Sequence, residues 1–279
     1  MRLDIERTTL NITTYCNLNC KHCVAFIPYF KEKSHLSYGD ASKVLEEYFK
    51  VIDTVEFFTI TGGEPLLNRE AFEIVEKTYE FRPQILRSVN FVTNGTLMIP
   101  EKLLALFERN REFTKVIISD YGKNLSTNVG KIEAALKYHD IPYRVSSFSG
   151  DNTYYGGWIS FLDHSLKWKS ETERDENAQK CIQRIGKYFV IYDGEIHCCS
   201  RSYWRMKNGI IPKTTGEYVP LTDGKIPLSE KKRLLFEMHE MASSTSCAYC
   251  VGFRNDIPRV TPAQQLDVKS IDRRLGEMP

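Results

Sequence analysis

The chain has 279 residues, a formal net charge of +2, and hydrophobic and charged fractions of 42% and 27%. These values suit a folded globular chain long enough for one barrel-sized α/β domain, alone or with a small appendix. So even a charge balance gives no electrostatic footprint for nucleic acid or a membrane surface. No run has the length of a membrane span, and residues 1–9 lack the apolar stretch of a signal peptide, so a cytoplasmic protein is expected. In that compartment the eight cysteines argue for metal ligation over disulfides.

Residues 8–15 predict a first strand. It runs into Cys16-Asn17-Leu18-Asn19-Cys20-Lys21-His22-Cys23, three thiols in the pattern C-x3-C-x2-C. Three thiolates this close can curl around one metal centre, and they leave a 4Fe-4S cluster one ligand short of its usual four. The plainer readings are a zinc knuckle or a disulfide, but an odd number of thiols with no nearby partner suits neither well. Ser37 and Asp40 form a capping pair for a helix that places Val44, Leu45, Tyr48 and Phe49 on one face. Residues 55–60 predict a second strand, ending at Thr61-Gly62-Gly63-Glu64-Pro65. Asn68 is read as the cap of the next helix. Strands follow at 88–93, 115–119 and 143–148, separated by helices from Pro100 and over 126–139.

Strand–helix alternation of this kind predicts a parallel sheet covered by helices. Right-handed crossovers then bring every strand C-terminus to one rim. The cysteine loop, Gly62–Pro65, Thr93–Gly95 and Ser119–Asp120 should therefore converge there.

Residues 149–169 break the pattern, with Tyr154, Tyr155, Gly156, Gly157, Trp158 and Trp168 in a run rich in small polar residues. This is either a surface loop with an irregular sixth strand near 158–162, or a segment that faces substrate. Residues 170–177 read as a charged, solvated link, and Lys231-Lys232-Arg233 as a solvated helix face. A hairpin is predicted over 187–199 with Asp193-Gly194 as its turn. A helix over 229–241 precedes Cys247-Ala248-Tyr249-Cys250, and nothing of domain size follows Cys250. Cys181, Cys199, Cys247 and Cys250 make four thiolates, a set that suits a zinc ribbon or an iron–sulfur cluster. Cys198 is left over, as a buried inert thiol, a hydrogen-atom donor, or the ligand in place of Cys199.

The C-x3-C-x2-C loop followed by Gly-Gly-Glu-Pro resembles the motif pair of the radical S-adenosylmethionine (SAM) superfamily. The resemblance implies an α/β fold, a partial (β/α)6 TIM-like barrel over 1–170. The later cysteines resemble a twitch or SPASM-like extension over 180–260, a small hairpin-plus-helix unit holding an auxiliary 4Fe-4S cluster. Cys16, Cys20 and Cys23 then ligate a cluster with an open site for S-adenosylmethionine. His22, Gly62, Gly63, Glu64, Thr93, Asn94, Ser119 and Val145 are implied contacts of that cofactor, and Cys181, Cys199, Cys247 and Cys250 hold the second cluster. The implied activity is a 5′-deoxyadenosyl radical taking hydrogen from a small polyhydroxylated substrate, a sugar or cyclitol. The net reaction would be dehydrogenation, with the auxiliary cluster accepting an electron and flavodoxin or ferredoxin as donor. Three alternatives stand: a redox-neutral epimerase quenched by Cys198, a ribosomal-peptide modifying enzyme, and a zinc-stabilised protein without catalysis.

Overall fold

The computed structural model describes residues 2–267. Five strands alternate with four helices: β1 (Asp4–Asn11), α1 (Tyr38–Val51), β2 (Thr54–Thr61), α2 (Ala71–Tyr79), β3 (Ile85–Thr93), α3 (Glu101–Arg109), β4 (Thr114–Asp120), α4 (Val129–Tyr138) and β5 (Tyr143–Ser147). Then come α5 (Glu171–Ala178), α6 (Ile182–Ile185), β6 (Phe189–Tyr192), β7 (Glu195–His197), α7 (Ser200–Lys207), β8 (Tyr218–Pro220) and α8 (Leu228–Glu240). One open sheet carries all eight strands in the order β5-β4-β3-β2-β1-β6-β7-β8.

The parallel strands are two-faced. Leu10, Phe58, Ile60, Val89, Phe91, Val116 and Ile118 point to the helices and form the main core with Ala41, Val44, Leu45, Tyr48 and Phe49 of α1. Their neighbours Thr9, Asn11, Thr61, Val92 and Ser119 face a cavity on the other side. The side-chain period of two thus separates a dry outer layer from a polar inner one. Ser37 caps α1, accepting from the Asp40 N–H, as read from the sequence.

Four expectations need correction. The sixth parallel strand is β6 beside β1, with Thr8, Thr9 and Leu10 opposite Phe189, Val190 and Ile191, whereas Trp158 makes only an isolated bridge to Val260. The hairpin is therefore continuous with the barrel sheet. Asp193 and Gly194 take φ of 46° and 76° at its tip, the left-handed pair a two-residue turn needs. Asn68 does not cap α2, which starts at Ala71; its amide donates to the Ile12 and Leu36 carbonyls and ties the β1 exit to the chain before α1. Residues 171–178 form a helix, because Ser170 and Glu173 close a reciprocal capping box. Finally, Lys231 is 3% exposed, since α8 turns it inward to Glu47 of α1 at 2.8 Å.

Candidate active site

The C-terminal ends of β1 and β2 lock the two motifs together. Ile12 N–H donates to the Thr61 carbonyl, Gly63 N–H to Thr13, and Glu64 N–H to Tyr15, each at 2.8 Å. The approach leaves no room for side chains at the glycines. A Cβ on Gly62 would lie 2.5 Å from the Thr13 carbonyl oxygen, and one on Gly63 2.1 Å from that of Tyr15. Gly-Gly is thus required by the docking of this turn against the segment that enters the cysteine loop.

Glu64 is fully buried and welds this corner to β3. Its carboxylate accepts from Asn94 N–H at 2.7 Å, Thr93 Oγ1 at 3.0 Å and Leu66 N–H at 3.2 Å. Desolvation outweighs these bonds and pushes its pKa up to about 7. The folded state therefore holds this proton more tightly than the unfolded chain. Stability from this group is complete below the unfolded carboxyl range and is lost as pH rises through about 7. The loss is expected to reach about 3 kcal/mol. Urea unfolding of the metal-free chain at pH 5 and pH 8 checks this. Glu64→Gln should flatten the difference, and an equal pH response in both proteins would refute it.

The three thiols lie beside this corner, within electrostatic reach of one another. Burial, with mutual repulsion, pushes Cys16 up to about 11 and Cys20 up to about 12, and burial raises Cys23. Thiols in such a place become thiolates only against a cationic centre. N–H donors already point at their sulfurs: Leu18 N at 3.4 Å and Asn94 Nδ2 at 3.7 Å to Cys16, and Gln265 Nε2 at 3.4 Å to Cys20. This donor set fits a 4Fe-4S cluster.

Next to the cysteine loop opens a cavity of about 430 Å³, lined by His22, Cys23, Gly62, Gly63, Thr93, Asn94 and Ser119. Six expected cofactor contacts (His22, Gly62, Gly63, Thr93, Asn94 and Ser119) are thereby brought together. Glu64 acts behind this wall, and Val145 is absent from it, packing against the main core instead. The far wall is aromatic. Tyr121 and Phe148 each approach Trp158, with ring centroids 5.5 and 6.0 Å away, and Tyr154 and Tyr155 complete it. Tyr154, Tyr155 and Trp158 of residues 149–169 therefore face the cavity, whereas Trp168 does not line it. Tyr121 and Gln183 were not read from the sequence, nor was the role of Ser126, whose hydroxyl donates to the Asn94 carbonyl at 2.7 Å.

Cys181, Cys199, Cys247 and Cys250 ring a second, smaller pocket. Trp168 Nε1 donates to the Cys250 carbonyl at 2.8 Å, and Arg205 reaches the Ser246 and Tyr249 carbonyls at 2.9 Å, which holds the C-x2-C loop in place. Arg184 and Arg201 also line the pocket, 8% and 2% exposed. Each has buried Nε and Nη1 hydrogens with no acceptor. Uncompensated cations are costly in such a place, and an anionic centre held by four thiolates would supply the missing charge. The pocket these residues line is about 20 Å³. Among the described residues, no three His, Cys, Asp or Glu side chains close on one point as a single ion requires.

Cys198 lies outside both spaces. It is 1% exposed in the main core, with its thiol 3.4 Å from Ser244 Oγ, so it does not reach the cavity as a hydrogen donor. Cys199, at the start of α7, is the member of the pair that joins the four-thiol ring. Among the described residues, no helix is long and apolar enough to cross a membrane.

Comparison with known proteins agrees with this geometry. Residues 10–119 match the model of the radical SAM superfamily. The GTP 3′,8-cyclase of Clostridium acetobutylicum is 35% identical over 97 residues, 34% of this chain and 29% of that protein. An S-adenosylmethionine-dependent nucleotide dehydratase of Selenomonas ruminantium is 31% identical over 98 residues, 35% and 33% of the two chains. The chain thus spans about a third of the length of these curated relatives. Two solved structures share the fold along nearly the whole chain. Native anSMEcpe with bound AdoMet superimposes with a TM-score of 0.54 at 12% identity, covering 98% of this chain and 96% of that one. BtrN in complex with AdoMet and 2-DOIA does so with a TM-score of 0.50 at 14% identity, covering 95% and 98%. Residues 10–119, which carry the cysteine loop and the Gly-Gly-Glu-Pro turn docked against it, thus match the radical SAM superfamily.

Proposed function

We propose that the chain oxidises a small, uncharged, polyhydroxylated molecule, a sugar or cyclitol, at carbon. One observation carries this reading: no Lys, Arg, Asp or Glu lines the cavity among the described residues. A nucleoside triphosphate would need cations at its phosphates. Hydroxyl and amide groups of Thr9, Asn11, Thr61 and Ser200 suit substrate hydroxyls, and the aromatic wall suits an apolar ring face.

The cluster at residues 16–23, with S-adenosylmethionine bound and an electron from flavodoxin or ferredoxin, supplies a 5′-deoxyadenosyl radical. The chain itself orients the reactants and excludes water. Gln183 lines both the cavity and the four-thiol pocket. Its carbonyl oxygen accepts from Arg201 Nη2 at 2.6 Å, which leaves its amide hydrogens as donors to a substrate oxygen. Division of labour follows, with residues 1–170 generating the radical and 180–260 holding an auxiliary 4Fe-4S cluster one side chain away. A cluster held there would supply an acceptor for the second electron of a dehydrogenation.

Candidate polyols deuterated at carbon, incubated with reduced enzyme and S-adenosylmethionine, should pass deuterium into 5′-deoxyadenosine. The product should be two hydrogens lighter. Transfer from a purine nucleotide or a peptide, with none from any polyol, would sink the proposal.

A further inference from the structure

The segment after Cys250 returns to the first cysteine loop from nearly the other end of the chain. Lys21 N–H donates to the Gln264 carbonyl and Leu266 N–H to the Asn19 carbonyl, both at 2.7 Å, with Cys20 paired antiparallel to Gln265. Ala263, 2% exposed, packs between Leu18 and Cys20, and Trp158 and Tyr121 of the cavity wall join the same cluster. Ala263 takes φ 51°, a left-handed conformation alanine avoids, so the surrounding contacts hold the strap in one shape.

The side chain of Gln265 has a single orientation that satisfies its neighbours. Its oxygen accepts from Asn19 N–H at 2.8 Å, a group that can only donate. Its nitrogen must then face the other way. One hydrogen goes to the Ala263 carbonyl at 2.7 Å and the other to Cys20 Sγ at 3.4 Å. The amide assignment follows from chemistry alone.

We propose that Gln265 is a positioning residue for the first cluster, setting its reduction potential through the hydrogen it offers the Cys20 sulfur. This rests on the reading of residues 16–23 as a 4Fe-4S site. Reduction adds negative charge to a cluster and its thiolates, so an N–H aimed at sulfur favours the reduced form, and a dry wall fixes how strongly. The strap supplies the donor from Gln265, itself an exposed residue, and packs the buried Ala263 and Leu266 beside it.

The test is a redox titration of the reconstituted full chain, followed by electron paramagnetic resonance. The signal that changes on adding S-adenosylmethionine identifies the first cluster. Gln265→Met removes both donors, and Gln265→Glu turns acceptors toward Cys20 at almost unchanged shape. Both should make that cluster harder to reduce by about tenfold, or ~59 mV for one electron, with the Glu variant shifted further. Equal potentials in the parent and both variants would overturn the proposal. Loss of iron from both would also overturn it, making Gln265 an assembly residue. Absence of any signal that responds to S-adenosylmethionine, in the parent itself, would instead defeat the underlying reading of the site.

Discussion

Gly63→Ala is expected to reduce S-adenosylmethionine cleavage by roughly 10²-fold or more, although it adds a single methyl group. The new Cβ would meet the Tyr15 carbonyl oxygen at 2.1 Å and carbon at 2.6 Å, and Cys16 Cβ at 2.8 Å. Two of these atoms are backbone, so no rotamer relieves the clash and one strand end must move away. That movement separates the turn from the cysteine loop and breaks the Gly63 and Glu64 N–H bonds to Thr13 and Tyr15. Gly130→Ala is the control, because a Cβ there meets nothing within 4 Å. 5′-Deoxyadenosine formed per reduced chain, with iron content alongside, is the measurement. Wild-type cleavage by the Gly63 variant would show that the close docking is not needed.

The second large effect concerns metal content. Anaerobic reconstitution should load about eight irons per chain, and the triple change Cys16→Ala, Cys20→Ala, Cys23→Ala should leave about four. Arg205→Met should remove the other four. Its guanidinium holds the loop from Ser246 to Tyr249 through its carbonyls, and methionine cannot donate to any of them. Buried carbonyls stripped of donors cost about 1–3 kcal/mol each. Iron, sulfide and zinc analysis of the three proteins separates the outcomes. Zinc in the triple variant in place of iron would make the four-thiol site structural and remove the electron acceptor from the proposed reaction.

Much of the first site could be read from the sequence because it consists of short motifs at strand ends. A parallel α/β sheet sends all such ends to one rim, so Cys16–Cys23, Gly62–Pro65, Thr93–Gly95 and Ser119–Asp120 were expected together; His22, Cys23, Gly62, Gly63, Thr93, Asn94 and Ser119 line one cavity, with Glu64 bonded to Thr93 and Asn94 behind it. The four thiols of the second group were likewise expected to meet, and they line one pocket. What local patterns do not carry is pairing between distant segments. Nothing in the period of residues 189–192 says that they join β1 and not β5. Nothing in Gln265 announces a contact with Cys20. Lys231 looks solvated in its own helix, and Glu47 of α1 together with the Leu221 carbonyl makes its burial tolerable. Val145 is the middle residue of β5, opposite Ile118 of β4, and shares that residue's core-facing side, while Ser146 beside it takes the other face.

The position of β1 between β2 and β6 has a consequence for any attempt to dissect the molecule. A fragment stopping at about residue 170 would bare the ladder groups of Thr8, Thr9 and Leu10 that pair with Phe189, Val190 and Ile191. It would also strip Ile196, Val219, Leu234 and Leu235 from the core, exposing apolar surface beside an open strand. Such an edge is a template for pairing with another copy of itself. The half that carries the first cysteine loop is therefore covered by the half that carries the other four thiols, and each depends on the same strand to stay out of aggregates.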